Sequence, residues 1–260
     1  MAYFHINHMS KELKMLTNVV VVLPEFDHSA GIPEPFPVLY LLHGFGHDCF
    51  GWLHNSSAAR YASERGLALV LPSGYNSAYT DMRYGQAYFT YIFQELPAYL
   101  RTVLPITRDP RRTYICGNSM GGYGALKCAL TGPERYGAAV SLSGSLHAED
   151  RILGRSANSG NQCTGIYGDP PQIDPESQDL FIMLRRCVER GSRLPRIALF
   201  CAKDDKAYLY RSSAEFKELA DTLQVPVSFE DGYGGHTFTY WDALLPRVMD
   251  WCLQGEEVPA

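Results

Sequence analysis

The sequence predicts an α/β fold in which one mostly parallel central sheet carries helices on both faces. Short apolar runs rich in β-branched residues alternate along the chain with longer amphipathic stretches, and this alternation is typical of repeated strand–helix–strand units. The apolar runs are continuous, as expected for strands that are buried on both faces. The 260 residues suffice for one such unit, and we expect a single domain over residues 1–260.

The strands are predicted at the apolar runs. In chain order these cover residues 17–23, 37–42, 67–71, 113–116, 138–142, 196–201 and 225–229. The amphipathic stretches predict helices over residues 56–65, 91–104, 120–130, 180–189, 212–223 and 238–253. Parallel strands joined by helices need crossover connections, which are right-handed in nearly all known sheets.

Residues 145–193 interrupt this alternation of strands and helices. The segment contains glycine, serine, asparagine and three prolines, and residues 180–189 form its one clear predicted helix. A stretch of this length between two core strands is either a lid over a site or a surface insertion. Because long ordered loops often carry function, we expect a lid-like cap at about residues 145–193.

Composition and charge exclude several classes of protein. Hydrophobic residues make up 46% of the chain and charged residues 20%, a balance typical of globular proteins and not of disordered ones. The net charge is −5 and the 23 basic residues are scattered, so nucleic-acid binding is not expected. No run approaches the roughly 18 apolar residues of a membrane span, and the first residues do not resemble a signal peptide. We therefore expect no membrane association and a cytoplasmic location.

The cysteine and histidine patterns give no sign of a metal or a disulfide framework. The seven cysteines are odd in number and form no C-x-x-C pair, which favours buried free thiols in a reducing compartment. His43, His47 and Asp48 come nearest to a ligand cluster, but no H-E-x-x-H motif occurs. A phosphate-binding loop and a dinucleotide fingerprint are also missing from the sequence, so neither a metal nor a cofactor is expected.

The segment Gly117-Asn118-Ser119-Met120-Gly121 matches the motif G-x-S-x-G. It lies directly after a predicted strand and directly before a predicted helix, which is the context that this motif requires. The sharp turn lifts the serine oxygen above the sheet, and the small residues on either side avoid clashes with neighbouring backbone. The pattern therefore predicts that Ser119 is a nucleophile.

A nucleophilic serine needs a base that accepts its proton and an acid that orients the base. The expected order along the chain is serine, then an acid after a later strand, then histidine. His236 follows the last predicted strand in a glycine-rich loop and is the only histidine after His147. Asp204 and Asp205 directly follow the strand over residues 196–201, and the spacing alone leaves both open as the acid.

Two backbone amides are candidates for binding the negative oxygen that develops during acyl transfer. One belongs to the residue after the nucleophile, Met120, and the other comes from the loop after the strand over residues 37–42. That loop reads His43-Gly44-Phe45-Gly46, so Phe45 supplies the second amide. We interpret His43 as an architectural residue of this turn.

With these motifs in this order, the chain resembles the esterase D-like group of α/β-hydrolases, and its bacterial tributyrin-esterase branch in particular. The resemblance is carried by the motifs over residues 41–44, 80–85, 95–97, 117–127, 141–144 and 234–238 together with Trp241. It implies an α/β-hydrolase fold and assigns Asp205, the second residue of the pair, as the acid. Relatives in this group commonly assemble, so it also implies a homo-oligomer.

The resemblance further implies the reaction and its substrates. We expect a serine carboxylesterase that hydrolyses short acyl esters, acetyl to butyryl, including esters of acylated sugars. Tyr84, Tyr123 and Trp241 are the candidate substrate-binding residues, although aromatic side chains of this kind commonly pack in the core. The alternatives are a feruloyl or cinnamoyl esterase, an S-formylglutathione hydrolase, an acyltransferase, and a non-catalytic binding module on the same fold.

Overall fold

A computed structural model describes residues 1–25, 35–152 and 161–254 and is built around one eight-stranded sheet. The strand order is β1-β2-β4-β3-β5-β6-β7-β8. Strands β1 and β2, and β2 and β4, pair antiparallel, whereas all other neighbours pair parallel. The strands are β1 (Ala2–Ser10), β2 (Met15–Leu23), β3 (Val38–Leu42), β4 (Ala68–Pro72), β5 (Thr113–Asn118), β6 (Ala138–Leu142), β7 (Arg196–Ala202) and β8 (Val227–Gly232).

Helices connect the strands and cover the sheet. They are α1 (Gly51–Asn55), α2 (Ala58–Ser63), α3 (Tyr88–Thr90), α4 (Leu96–Val103), α5 (Met120–Thr131), α6 (Ala148–Ile152), α7 (Asn161–Tyr167), α8 (Pro175–Gln178), α9 (Leu180–Glu189), α10 (Ala207–Thr222) and α11 (Phe238–Leu253). A π-helical turn over Tyr91–Glu95 joins α3 to α4, and short 3₁₀ turns occupy Pro110–Arg112 and Pro133–Arg135.

Alternate residues of each strand build two separate cores, one on each face of the sheet. In β3, Val38, Tyr40 and Leu42 point to the face covered by α4, α5, α9 and α10. Leu39 and Leu41 point to the opposite face, which is covered by α1, α2 and α11. The mostly parallel sheet with helices on both faces, as predicted from the sequence, is therefore confirmed.

The sequence prediction missed one strand at the start of the chain. No strand was predicted before residue 17, yet β1 pairs with β2 along its whole length. Polar residues in β1 conceal its strand pattern, because much of β1 is exposed at the sheet edge. Glu95 ties the hairpin to the π-helical turn by accepting hydrogen bonds from the Ser10 hydroxyl and from the amides of Lys11 and Glu12.

The predicted cap contains more helix than the sequence indicated. Besides α9, which matches the prediction, α6, α7 and α8 lie between β6 and β7 in the part of the chain that is described. These three helices are short, so their apolar spacing is too brief to be recognised as periodic. Residues 153–160 of the segment lie outside the described residues.

The junction of β5 and α5 packs so closely against the carboxyl end of β3 that a side chain at Gly121 would not fit. A Cβ atom added at Gly121 would collide with the carbonyl oxygen of Leu42 and would lie 2.8 Å from that of His43. Both obstacles are backbone atoms, which cannot rotate away. The second glycine of the G-x-S-x-G motif therefore sets how closely the helix approaches the sheet.

We predict that Gly121→Ala destabilises the protein even though alanine is normally preferred in helices. The expected loss is about 1–3 kcal/mol in the free energy of unfolding, the usual cost of overpacking. Gly165→Ala in α7 is the matched control, because its added Cβ would meet only the Met82 methyl at 3.5 Å. Urea denaturation measures both variants, and equal midpoints for the two would contradict the packing argument.

Candidate active site

Ser119 occupies a strained turn between β5 and α5. Its backbone angles are φ 54° and ψ −115°, a left-handed conformation that costs free energy in any residue other than glycine. The Ser119 amide donates to the carbonyl of Leu142 at 2.8 Å, which fixes the turn against the end of β6. The strain is the feature expected of a serine that is presented above the sheet as a nucleophile.

Ser119, His236 and Asp205 form a continuous line of hydrogen bonds. The Ser119 hydroxyl donates to Nε2 of His236 at 2.9 Å. On the other side of the ring, Nδ1–H of His236 donates to the Asp205 carboxylate at 3.0 Å to Oδ1 and 3.1 Å to Oδ2. The three residues follow β5, β8 and β7, so the sheet brings together side chains that are far apart in sequence.

The Asp205 carboxylate is fully buried, whereas the His236 side chain keeps 21% of its surface exposed. Burial raises the pKa of Asp205, but hydrogen bonds from His236, Ser143 and the Lys206 amide outweigh burial and hold that pKa below its usual value. The carboxylate is therefore ionised at neutral pH and favours a proton on Nδ1 of His236. That tautomer leaves Nε2 free to accept the Ser119 proton.

Asp204, the other acid that the spacing left open, points away from the imidazole and holds the histidine loop instead. One of its oxygens, Oδ1, accepts hydrogen bonds from the amides of Gly234 at 2.9 Å and Gly235 at 3.0 Å. Gly235 has φ +61°, so the two amides converge on one acceptor in a backbone conformation that suits glycine. Asp204 therefore holds the loop, whereas Asp205 holds the imidazole ring.

Trp241 lies beneath the histidine ring. The two rings meet edge to face with their centroids 4.8 Å apart, and the Trp241 indole N–H donates to the Ser143 hydroxyl at 3.1 Å. Trp241 is buried. Its contacts are those of a support for His236, and Ser143, which the sequence did not single out, joins this support to Asp205.

The two other aromatic residues that we predicted as substrate-binding do not border the cavity that contains Ser119. Tyr123 is buried in α5, and its hydroxyl donates to the carbonyl of Gln178 at 2.9 Å. Tyr84 is 65% exposed, and neither residue borders the cavity at Ser119. Tyr79, from the same aromatic segment as Tyr84, is fully buried and donates to the carbonyl of His43 at 2.9 Å.

Both predicted oxyanion residues border the cavity that contains Ser119. The Met120 amide is the first N–H of α5, a position with no acceptor inside the helix. Phe45 lies in the turn after β3, which His43 braces: its Nδ1–H donates to the Gly44 carbonyl, and its Nε2 accepts from the Gly74 amide at 2.9 Å. Burial lowers the pKa of His43 to about 4, so the ring is neutral and holds the loop.

The cavity beside Ser119 is small, about 40 Å³. Its walls come from the predicted oxyanion loops and from residues of the cap and α10 that sequence reasoning missed. The cavity is lined by Phe45, Asn76, Ala78, Ser119, Met120, Ser145, Cys163, Ile166, Tyr167 and Tyr208. No motif marks Cys163, Ile166 or Tyr208, because only the fold of the cap and of α10 brings them to the serine.

Comparison with known proteins places this arrangement in a family. The model of the Esterase family matches residues 10–251. The chain belongs to the Esterase family. This confirms the esterase D-like resemblance and makes the chain an enzyme, a carboxylic ester hydrolase with the α/β-hydrolase fold.

Full-length relatives agree with this membership of the Esterase family. The esterase is 28% identical to an acetyl esterase of Caldicellulosiruptor saccharolyticus over 96% of this chain and 98% of the relative. Two solved structures from Staphylococcus aureus are each 32% identical and cover 97% of this chain and 98% of their own. They are the fluorophosphonate-binding serine hydrolase FphF, with a TM-score of 0.89, and the S-formylglutathione hydrolase FrmB, with a TM-score of 0.87.

The described residues contain no helix that is both long and apolar enough to cross a membrane. All seven cysteines lie in this part of the esterase, and each is buried with a free thiol. The expected homo-oligomer and cytoplasmic location stay predictions.

We predict different losses of activity for the two aspartates. Asp205→Asn should lower kcat with a short-chain p-nitrophenyl ester by about 10³–10⁴-fold, because the ring of His236 then loses its anionic acceptor. Asp204→Asn keeps one acceptor oxygen for the glycine amides, so its kcat should fall far less. Asp204→Ala removes both hydrogen bonds, and its loss of kcat should lie between those of Asp204→Asn and Asp205→Asn.

The Asp204 variants also separate loop positioning from overall stability. If Asp204 acts through the loop, Asp204→Ala lowers turnover while the urea midpoint of unfolding changes little. A larger loss for Asp204→Asn than for Asp205→Asn would reverse the assignment of the two residues.

Proposed function

We propose that this protein is a serine carboxylesterase that acts on short acyl groups, acetyl to butyryl, with Ser119 as nucleophile, His236 as general base and acid, and Asp205 as the acid that orients the ring. The observation that carries the proposal is the unbroken line of hydrogen bonds from the Ser119 hydroxyl through His236 to the buried Asp205 carboxylate. Membership of the Esterase family supports the same chemistry.

The reaction follows from the direction of these hydrogen bonds. Nε2 of His236 takes the hydroxyl proton as Ser119 Oγ bonds to the ester carbonyl carbon, and the carbonyl oxygen becomes an oxyanion that the amides of Phe45 and Met120 bind. Collapse of this intermediate breaks the ester C–O bond, and His236 gives its proton to the leaving alcohol. Water then attacks the acyl enzyme with His236 again as base, and the carboxylic acid leaves.

The small cavity favours small acyl groups. A cavity of about 40 Å³ holds a few water molecules, since about 10–15 Å³ of this volume accommodates one. The space beyond the carbonyl carbon therefore suits a short chain of one to three further carbon atoms. A cinnamoyl group is larger, and its ring would extend beyond this volume. The cavity thus supports acetyl and similar groups over the feruloyl alternative, and the acetyl esterase relative agrees with this choice.

S-formylglutathione hydrolysis is the second candidate. A formyl group fits the cavity, and the structure of the Staphylococcus aureus S-formylglutathione hydrolase superposes on nearly the whole chain. Both candidates pass through an acyl enzyme, but they differ in the acyl group, which is formyl instead of acetyl to butyryl, and in the leaving group, which is a thiol instead of an alcohol. Comparing kcat/KM for S-formylglutathione with that for p-nitrophenyl acetate distinguishes them.

We predict that a fluorophosphonate probe labels Ser119. The Ser119 oxygen displaces fluoride from phosphorus, and the added mass should appear on the peptide that contains Ser119 and be lost in Ser119→Ala. The same variant should lower turnover of p-nitrophenyl acetate by several orders of magnitude, since the acyl enzyme cannot form. Ser177→Ala, which changes an exposed serine of α8, is the control and should keep both labelling and turnover. Labelling of Ser119→Ala would contradict the proposal.

We also predict that Ile166 limits the length of the acyl chain. Its buried side chain borders the cavity, so Ile166→Val and Ile166→Ala should progressively raise the butyrate-to-acetate ratio of kcat/KM, by about tenfold for alanine, the typical value of one methylene group in a pocket. Ile182→Ala, on the exposed face of α9, is the matched control and should leave the ratio unchanged. An unchanged ratio in both Ile166 variants would place the limit elsewhere.

A further inference from the structure

A second cleft lies at the opposite end of the sheet from Ser119. The cleft has a volume of about 330 Å³. It is bordered by Tyr40 of β3, by Thr113 at the start of β5, by residues between 93 and 110 that precede β5, and by residues 134–136 that precede β6. Ser119 follows the other end of β5, and a six-residue strand spans roughly 20 Å. The cleft is therefore separate from the proposed catalytic site.

Three arginines and a single carboxylate border this cleft. They are Arg101 at the end of α4, Arg108 in the following loop, and Arg135 beside Glu134 before β6. In the described part of the chain, no carboxylate lies within ion-pair distance of Arg101 or Arg108, and the Arg135–Glu134 separation is 3.9 Å. The cleft thus has an excess of positive charge that the surrounding side chains leave uncompensated.

Two residues that border this cleft each have a buried side-chain atom with no hydrogen-bond partner among the described residues. These atoms are the Tyr40 hydroxyl oxygen and Nε of Arg101. Burial raises the pKa of Tyr40 to about 12, so its hydroxyl keeps its proton and is a donor at neutral pH. Both atoms therefore need an acceptor, since a buried donor without one destabilises the folded chain.

We propose that this cleft binds a phosphate group, free or carried by a small metabolite. Arginine guanidinium groups present N–H donors in a planar fork that matches phosphate oxygens, and a phosphate supplies the acceptors that Arg101 and Tyr40 lack. The volume of about 330 Å³ is at the lower end of the range for small-molecule sites, so a short organic group can accompany the phosphate. This site lies outside the ester-hydrolysing machinery and does not depend on its assignment.

Isothermal titration calorimetry at low ionic strength tests the proposal on the full chain. Inorganic phosphate and glycerol 3-phosphate are titrated separately, so that their relative affinities tell a free phosphate from a phosphate monoester. We expect saturable binding of at least one of them at one site per chain. The double variant Arg101→Gln/Arg108→Gln should bind at least about tenfold more weakly, since it loses charge-assisted hydrogen bonds to the phosphate oxygens.

The matched control is Arg60→Gln/Arg247→Gln, which removes the same charge from two exposed arginines on other helices and should keep the wild-type affinity. Arg108→Gln alone, at an exposed position, provides a variant whose folding is not at risk, and it should also weaken binding. Failure of wild-type protein to bind either compound would overturn the proposal. Equal affinities of wild type and Arg108→Gln would also overturn the proposal. The same would follow if Arg60→Gln/Arg247→Gln lost as much affinity as Arg101→Gln/Arg108→Gln.

Discussion

The β5–α5 turn packs directly against the carboxyl end of β3, and this contact positions the other groups of the site. Because Gly121 has no Cβ, the helix can approach the carbonyls of Leu42 and His43, and this approach places the Met120 amide and the Phe45 loop beside one cavity. Ser119, in its strained conformation, lies at the same junction and is fixed there by its hydrogen bond to Leu142. A looser junction would separate the serine from the amides that we propose bind its oxyanion.

The adjacent aspartates show what sequence reasoning could and could not resolve. The strand and loop patterns located both residues after β7 and placed His236 after β8, because buried parallel strands leave a clear apolar signal. Which carboxylate meets the imidazole depends on side-chain direction at the end of a strand, and spacing carries no information about that. The assignment of Asp205 came from the family resemblance, and the geometry now gives Asp204 its own contact with Gly234 and Gly235.

Other features could not be predicted from the sequence, and each has a physical reason. Strand β1 lies at the exposed edge of the sheet, where polar residues are tolerated and mask the apolar pattern. Tyr123 and Trp241 were expected to contact substrate, yet aromatic rings serve equally well as core, and their directions follow from packing that no motif records. Ser143 shows the same limit, since its contacts with Trp241 and Asp205 arise only in the folded chain.

The residues that we propose for chemistry and those that shape the cavity come from different parts of the fold. Ser119, Asp205 and His236 each follow a strand of the central sheet, whose pairing fixes their relative positions. Cys163, Ile166 and Tyr167 come from the cap, which joins β6 to β7 without contributing a strand. Substitutions in the cap can therefore change the space offered to the acyl group while the hydrogen bonds among the three sheet-borne residues persist.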